Sequence, residues 1–70
     1  MTRYLLKIPG GGWVRLPGDG SARGVASPMS ASHWYSREAM ATALGELHPS
    51  AQLWCRSGRL YRLVLEPVDL

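Results

Sequence analysis

The clearest periodic pattern of apolar residues is helical and lies between residues 35 and 48. Ser36 stands where an N-cap hydroxyl is needed, and Glu38 falls in the first turn, where the helix dipole favours an anion. Because Pro49 disfavours helical backbone in the residue before it, the helix is predicted to end near His48. The apolar residues follow the spacing i, i+3, i+4 and i+7 of one helical face. They are Met40, Ala43, Leu44 and Leu47.

Alternating apolar and polar residues near the N-terminus predict a β-hairpin. Residues 3–8 (RYLLKI) favour a strand and end at Pro9, which cannot donate a hydrogen bond to a neighbouring strand. The glycines at 10–12 allow positive φ in a tight turn. Residues 13–16 then resume the extended pattern and stop at Pro17, which completes the predicted hairpin.

The segment from residue 17 to residue 35 has neither a helical nor a strand period. It is rich in Gly, Ser, Ala and Pro and is predicted to form a long loop. Loops of this length in a small domain are usually functional or mobile. After the helix, residues 51–66 (AQLWCRSGRLYRLVLE) alternate again around Ser57-Gly58. They are predicted to form a second hairpin.

Together these elements predict an α+β fold of order ββαββ, an antiparallel sheet with one helix packed on one face. Seventy residues fill only one hydrophobic core, so residues 1–70 are predicted to be a single domain. The period of two along each strand sorts its side chains between the two faces of the sheet. The predicted core consists of Tyr4, Leu6, Ile8, Val14, Leu16, Met40, Ala43, Leu44, Leu47, Leu53, Cys55, Tyr61, Leu63 and Leu65.

The same alternation places basic and aromatic side chains on the sheet face away from the helix. Arg3, Leu5 and Lys7 are predicted to point to that face as well. Trp and Arg are the commonest energetic anchors of protein interfaces. On a sheet, aromatic rings also stack on bases while arginines neutralise phosphates. A third interpretation is that residues 17–35 fold back over this face and bury its tryptophans. The predicted partner-binding residues are Trp13, Arg15, Trp54, Arg56 and Arg62.

Charge and cysteine content restrict the class of protein. Eight Lys and Arg against five Asp and Glu give a net charge of +3. A charge of this size is also explained by solubility, without any binding partner. The single cysteine, Cys55, cannot pair within the chain, which argues against a disulfide-bonded secreted scaffold. No apolar run approaches the ~20 residues that cross a bilayer. We also expect no signal peptide, because the N-terminal apolar stretch is very short and is followed by no small-residue cleavage site. We expect a cytoplasmic protein.

Motifs for catalysis or cofactor binding are absent from the sequence. The glycine-rich stretch 8–20 has no Gly-Lys pair of the Walker type, and no helix follows its glycines as in a dinucleotide-binding loop. The residues His33, His48 and Cys55 share no metal-ligand spacing. No nucleophile lies in a recognised catalytic signature. We therefore expect a protein that is not an enzyme and takes no cofactor and no metal.

The segment SHWYSREAMATALGEL (32–47), preceded by YLLKIPGGGWVRL (4–16), resembles small single-domain α+β proteins encoded by phages and mobile elements. In these proteins a strand-turn-strand opening leads into a helix that starts W/F-S-x-E-x-A. Some of them are anti-CRISPR or other host-takeover proteins. The resemblance implies an inhibitor that binds and blocks a host defence protein in the host cytoplasm. The alternative is a module that binds single-stranded nucleic acid on the aromatic and basic sheet face.

Overall fold

The computed structural model describes residues 2–64, and along them three strands precede two helices and a fourth strand follows. The elements are β1 (Thr2–Ile8), β2 (Gly12–Arg15), β3 (Arg23–Val25), a 3-10 turn (Pro28–Ser30), α1 (Arg37–Gly45), α2 (Pro49–Cys55) and β4 (Arg59–Val64). The strands form one antiparallel sheet in the order β3-β2-β1-β4. The α+β class is therefore confirmed, whereas the order ββαββ with a single helix is wrong.

The first hairpin forms as predicted, because its turn contains residues that tolerate positive φ. Gly10 and Gly12 adopt φ of +76° and +82°. Gly12 also lies so close to β3 that a Cβ there would approach the Val25 carbonyl oxygen to 2.8 Å. The strands then pair through Lys7 with Trp13 and Ile8 with Gly12.

The predicted loop at residues 17–35 is wrong in part, since it contains β3 and the 3-10 turn. A strand of three residues is too short to show a period of two, so only its pairing with β2 reveals it. Beyond the turn the chain returns to the sheet. Ser32 N donates to the Val14 carbonyl at 3.0 Å, and Trp34 exchanges two backbone hydrogen bonds with Tyr4. This segment therefore lies between the diverging ends of β1 and β2.

The helix α1 begins where predicted but ends earlier. The Ser36 hydroxyl accepts a hydrogen bond from Ala39 N at 3.0 Å, as an N-cap does. The predicted strand over residues 51–56 is wrong, because Pro49 occupies the first position of α2 instead of ending a helix. A proline there lacks only an N–H that the helix does not use. Within residues 2–64, neither helix is long and apolar enough to span a bilayer.

The hydrophobic core lies between the two helices and one face of the sheet. Its position confirms the predicted burial of Leu6, Ile8, Val14, Leu47 and Cys55, with Leu16, Met40, Ala43 and Leu44 packed against them. Trp34 joins this core although the sequence placed it in a loop. The core prediction is wrong for Leu53, which is 67% exposed on α2. Tyr4 is only half-buried.

The phase of β4 is also opposite to the prediction. Pairing with β1 sets Leu60 opposite Leu6 and Tyr61 opposite Leu5, so Tyr61 and Leu63 face away from the helices. The segment expected to pair with β4 in a hairpin forms α2 instead. The register of β4 is therefore set by its pairing with β1 alone. Tyr61 is 45% exposed, whereas Leu5, predicted to point outward, is 3% exposed on that same face. Leu65 lies outside the described residues.

Candidate functional site

The face of the sheet turned away from the helices, which we call the outer face, is basic and aromatic. Five of its side chains carry positive charge, and no Asp or Glu occurs in any described strand. The strand registers place ten side chains on it. They are Arg3, Leu5 and Lys7 of β1, Trp13 and Arg15 of β2, Arg23 and Val25 of β3, and Arg59, Tyr61 and Leu63 of β4.

Two pairs of like charges stand directly opposite each other on this face. Arg15 of β2 faces Arg23 of β3, and Lys7 of β1 faces Arg59 of β4. Side chains opposite each other across an antiparallel pair have Cβ atoms ~5 Å apart, so like charges in these positions destabilise the sheet. Local rules of this kind are typically broken where a protein functions. The outer face thus holds positive charge that a bound anion would compensate.

Aromatic rings lie among these cations. Trp13 and Tyr61 stand on either side of β1 and contact edge to face, with ring centroids 5.2 Å apart and planes at 65°. The Lys7 ammonium lies 5.3 Å from the Trp13 centroid, at cation–π distance. Trp13 is half-buried by this packing, whereas the more exposed Tyr61 presents its ring to solvent.

A second cation is oriented at the other end of β1. The Arg3 guanidinium lies 5.5 Å from the Tyr35 ring centroid, and its Nη1 is 3.4 Å from His33 Nδ1. His33 Nε2 lies 2.8 Å from the Pro28 carbonyl oxygen. Because a carbonyl only accepts, Nε2 is assigned the hydrogen, and Nδ1 of the neutral ring then accepts from Arg3. The segment after the 3-10 turn therefore positions Arg3.

The 3-10 turn forms one wall of an apolar cleft on the outer face. Arg15 Nη1 holds this turn by donating to the Ser30 carbonyl at 2.9 Å. Met29 at its centre is 74% exposed. The cleft, of about 230 Å³, is lined by Leu5, Trp13, Pro28, Met29, Tyr61, Arg62 and Leu63. The outer face thus carries an apolar cleft as well as its cations.

Only two of the five predicted partner-binding residues lie on the outer face, Trp13 and Arg15. Trp54 is part of α2 and packs against the core, and Arg56 follows that helix as an exposed residue. Arg62 lines part of the cleft, but its register opposite Tyr4 places its Cβ on the helix side. The shared face predicted for the five residues is therefore wrong, because it relied on a strand at 51–56 and on the inverted phase of β4.

The sequence reasoning missed Arg23, Arg59 and Tyr61 as members of this face. Alternation did place Arg3 and Lys7 there. No sequence signal marks Arg23, since β3 is too short to alternate, and the other two depend on the register of β4. Residues 17–35 fold back over the outer face only at the cleft, where Pro28 and Met29 form part of its lining. Trp34 is buried on the helix side, and neither Trp13 nor Trp54 is fully buried.

Outside the outer face, the described titratable groups do not form a metal-binding or nucleophilic cluster. Among residues 2–64, no three His, Cys, Asp or Glu side chains lie close enough to hold a metal ion. Burial raises the pKa of the Cys55 thiol, which keeps it protonated and poorly nucleophilic. Hydrogen bonds from Ser21 lower the pKa of Asp19 in the loop before β3.

Comparisons with family models, curated proteins and solved structures return no match for this chain. The function is therefore inferred from the geometry and charge of the outer face.

Proposed function

We propose that the protein is a non-enzymatic binding module that holds single-stranded nucleic acid on the outer face of its sheet. The observation that carries this proposal is the like charge at two directly opposed strand positions, Arg15 with Arg23 and Lys7 with Arg59. Like charges in opposed positions are unfavourable in the free protein. A phosphate backbone laid across the strands would neutralise the facing cations, so the repulsion is relieved in the complex.

The aromatic residues favour a single strand over a duplex. A duplex keeps its bases stacked inside, whereas a single strand offers base faces to exposed rings on a sheet. Tyr61 presents such a ring between Arg59 and the apolar cleft, and Trp13 braces it from the other side of β1. The outer face therefore combines phosphate neutralisation with base stacking, the two contributions that single-strand binders use.

The inhibitor of a host defence protein, as implied by the phage-protein resemblance, stays a prediction. An acidic protein surface would also compensate the outer-face cations, and Met29 beside Tyr61 would suit either partner. The two partners differ in how the binding energy is distributed. A phosphate backbone draws on all the cations about equally, whereas a protein interface depends on one or two anchors.

The test is the salt dependence of binding to an oligothymidylate, measured by fluorescence anisotropy. Each phosphate neutralised on a single strand contributes ~0.7 to the slope of log K against log salt. Arg15→Ala and Arg23→Ala should each lower the slope by about that amount. Arg56→Ala is the matched control, because it removes the same charge from an exposed position off the sheet. It should leave the slope nearly unchanged.

Two outcomes would contradict the proposal. One is an equal effect of Arg56→Ala and Arg15→Ala, which would mean that only net charge matters. The other is the absence of single-strand binding at low salt. In that case, a nuclease-resistant host-protein complex that Arg15→Ala abolishes would favour the inhibitor prediction.

A further inference from the structure

The strand β4 forms an open edge of the sheet. It pairs only with β1, and within residues 2–64 nothing pairs with its other side. Three of its six residues are large, exposed hydrophobic side chains, with Leu60 at 38%, Tyr61 at 45% and Val64 at 51% exposure. The opposite edge, β3, is only three residues long, which is a common protection against edge pairing. The edge at β4 is six residues long.

We propose that β4 pairs antiparallel with β4 of a second copy of this chain, forming a two-fold symmetric dimer with one continuous sheet. Antiparallel pairing of two identical edge strands requires a two-fold axis perpendicular to the sheet. Rotation about that axis keeps both outer faces on one side and both helix layers on the other. The dimer interface is therefore isologous, and one residue of β4 faces its own copy on the axis.

The charges of β4 select the residue on the axis. Residues opposite each other in an antiparallel pair point to the same face of the sheet, and side chains alternate between the faces. The axis must therefore lie between the two copies of one residue, not between two successive residues. With Arg62 on the axis, two guanidinium groups would stand directly opposite each other, which is unfavourable. With Leu60 or Leu63 there, only three residues of the described strand, Arg59–Val64, would overlap.

Tyr61 on the axis avoids opposed arginines and also gives a long overlap between the two strands. Five residues then pair in each copy, and each arginine meets a leucine of the other copy: Arg59 faces Leu63, and Arg62 faces Leu60. Apolar parts of the arginine side chains can cover these leucines while the charged ends stay in water. No like charges face each other across the new pair.

The helix layer leaves room for the second copy. Leu60 and Val64 lie on the same side of the sheet as the helices, yet both are exposed, so the helices do not cover β4. Dimerisation does not require the proposed function, although Tyr61 takes part in both. If both hold, the two outer faces form one surface with twice the number of cations.

Cysteine cross-linking tests the register directly. Residues paired on the axis have Cα atoms ~5 Å apart, within the 4.4–6.8 Å range of a disulfide. Tyr61→Cys should therefore form an intermolecular disulfide under mild oxidation with oxidised glutathione. Leu63→Cys is the control, since its two copies would lie four residues apart along the pair, ~13 Å. The unmodified chain, whose Cys55 is buried, gives the background.

Sedimentation of the chain without an introduced cysteine gives a second, independent reading. We expect association that rises with concentration, because edge pairing buries a small interface. Leu60→Lys should abolish it by facing Arg62 of the second copy, whereas Leu53→Lys, equally polar but on α2, should not. A monomer at every concentration, or cross-linking of Leu63→Cys as strong as that of Tyr61→Cys, would overturn the dimer. A monomer that still binds oligothymidylate would leave the proposed function intact.

Discussion

Arg15 and Arg23 face each other directly across β2 and β3, with the same charge on both side chains. Arg23→Glu should turn this repulsion into attraction and raise the free energy of unfolding by ~0.2 to 1 kcal/mol. It should also weaken binding to single-stranded nucleic acid, because a carboxylate repels phosphate. Urea unfolding and anisotropy on the same variant measure the two effects. Arg56→Glu, off the sheet, should change both much less, and a gain in binding by Arg23→Glu would refute this expectation.

Glycine is required at residue 12 for two reasons, its positive φ and the approach of β3. Gly12→Ala should destabilise the chain by more than ~1 kcal/mol, since the new Cβ meets backbone that cannot move away easily. Gly18→Ala separates the two causes, because φ at Gly18 is +97° but nothing lies within 4 Å of its Cβ position. Thermal or urea unfolding should show the larger loss for Gly12→Ala. Equal losses would mean that the contact with Val25 contributes nothing.

Trp34 is expected to be among the most important core residues, although it follows an irregular segment. It is 9% exposed and packs in the same cluster as Leu6 and Leu47. Trp34→Ala should cost ~3 to 5 kcal/mol, enough to unfold a domain of this size. Leu53→Ala is the control, because Leu53 is exposed and should lose less than ~0.5 kcal/mol. Circular dichroism and urea unfolding distinguish these outcomes, and a folded Trp34→Ala chain would show that the core tolerates the cavity.

The buried Cys55 thiol makes stability depend on alkaline pH. Its pKa is raised in the folded state by desolvation, so folding favours the protonated form. That stabilisation is fully present below the pKa of the unfolded thiol and is lost as pH rises through the folded-state pKa. The free energy of unfolding should fall with alkaline pH, and less steeply in Cys55→Ala. Parallel pH profiles for the two chains would contradict this.

Local sequence was sufficient wherever the stabilising contacts are themselves local. The turn at residues 10–12 follows from glycines that tolerate positive φ. The start of α1 follows from a serine hydroxyl three residues before the amide that it caps. The apolar face of that helix packs against the core because its spacing of residues leaves no other face apolar. Each of these features involves residues within a few positions of one another.

Tertiary structure alone decided the features that depend on distant partners. Residues 51–55 alternate in a way that suits a strand. They form a helix instead, which starts at Pro49 and in which Gln52 donates to the carbonyls of Gly45, the last residue of α1, and of Leu47, two residues beyond it. The strand β3 exists only through its pairing with β2. Arg59 and Tyr61 lie on the outer face because of the register between β4 and β1. That pairing joins segments more than fifty residues apart. Because side chains alternate with a period of two, a one-residue change in that register would move both to the helix side.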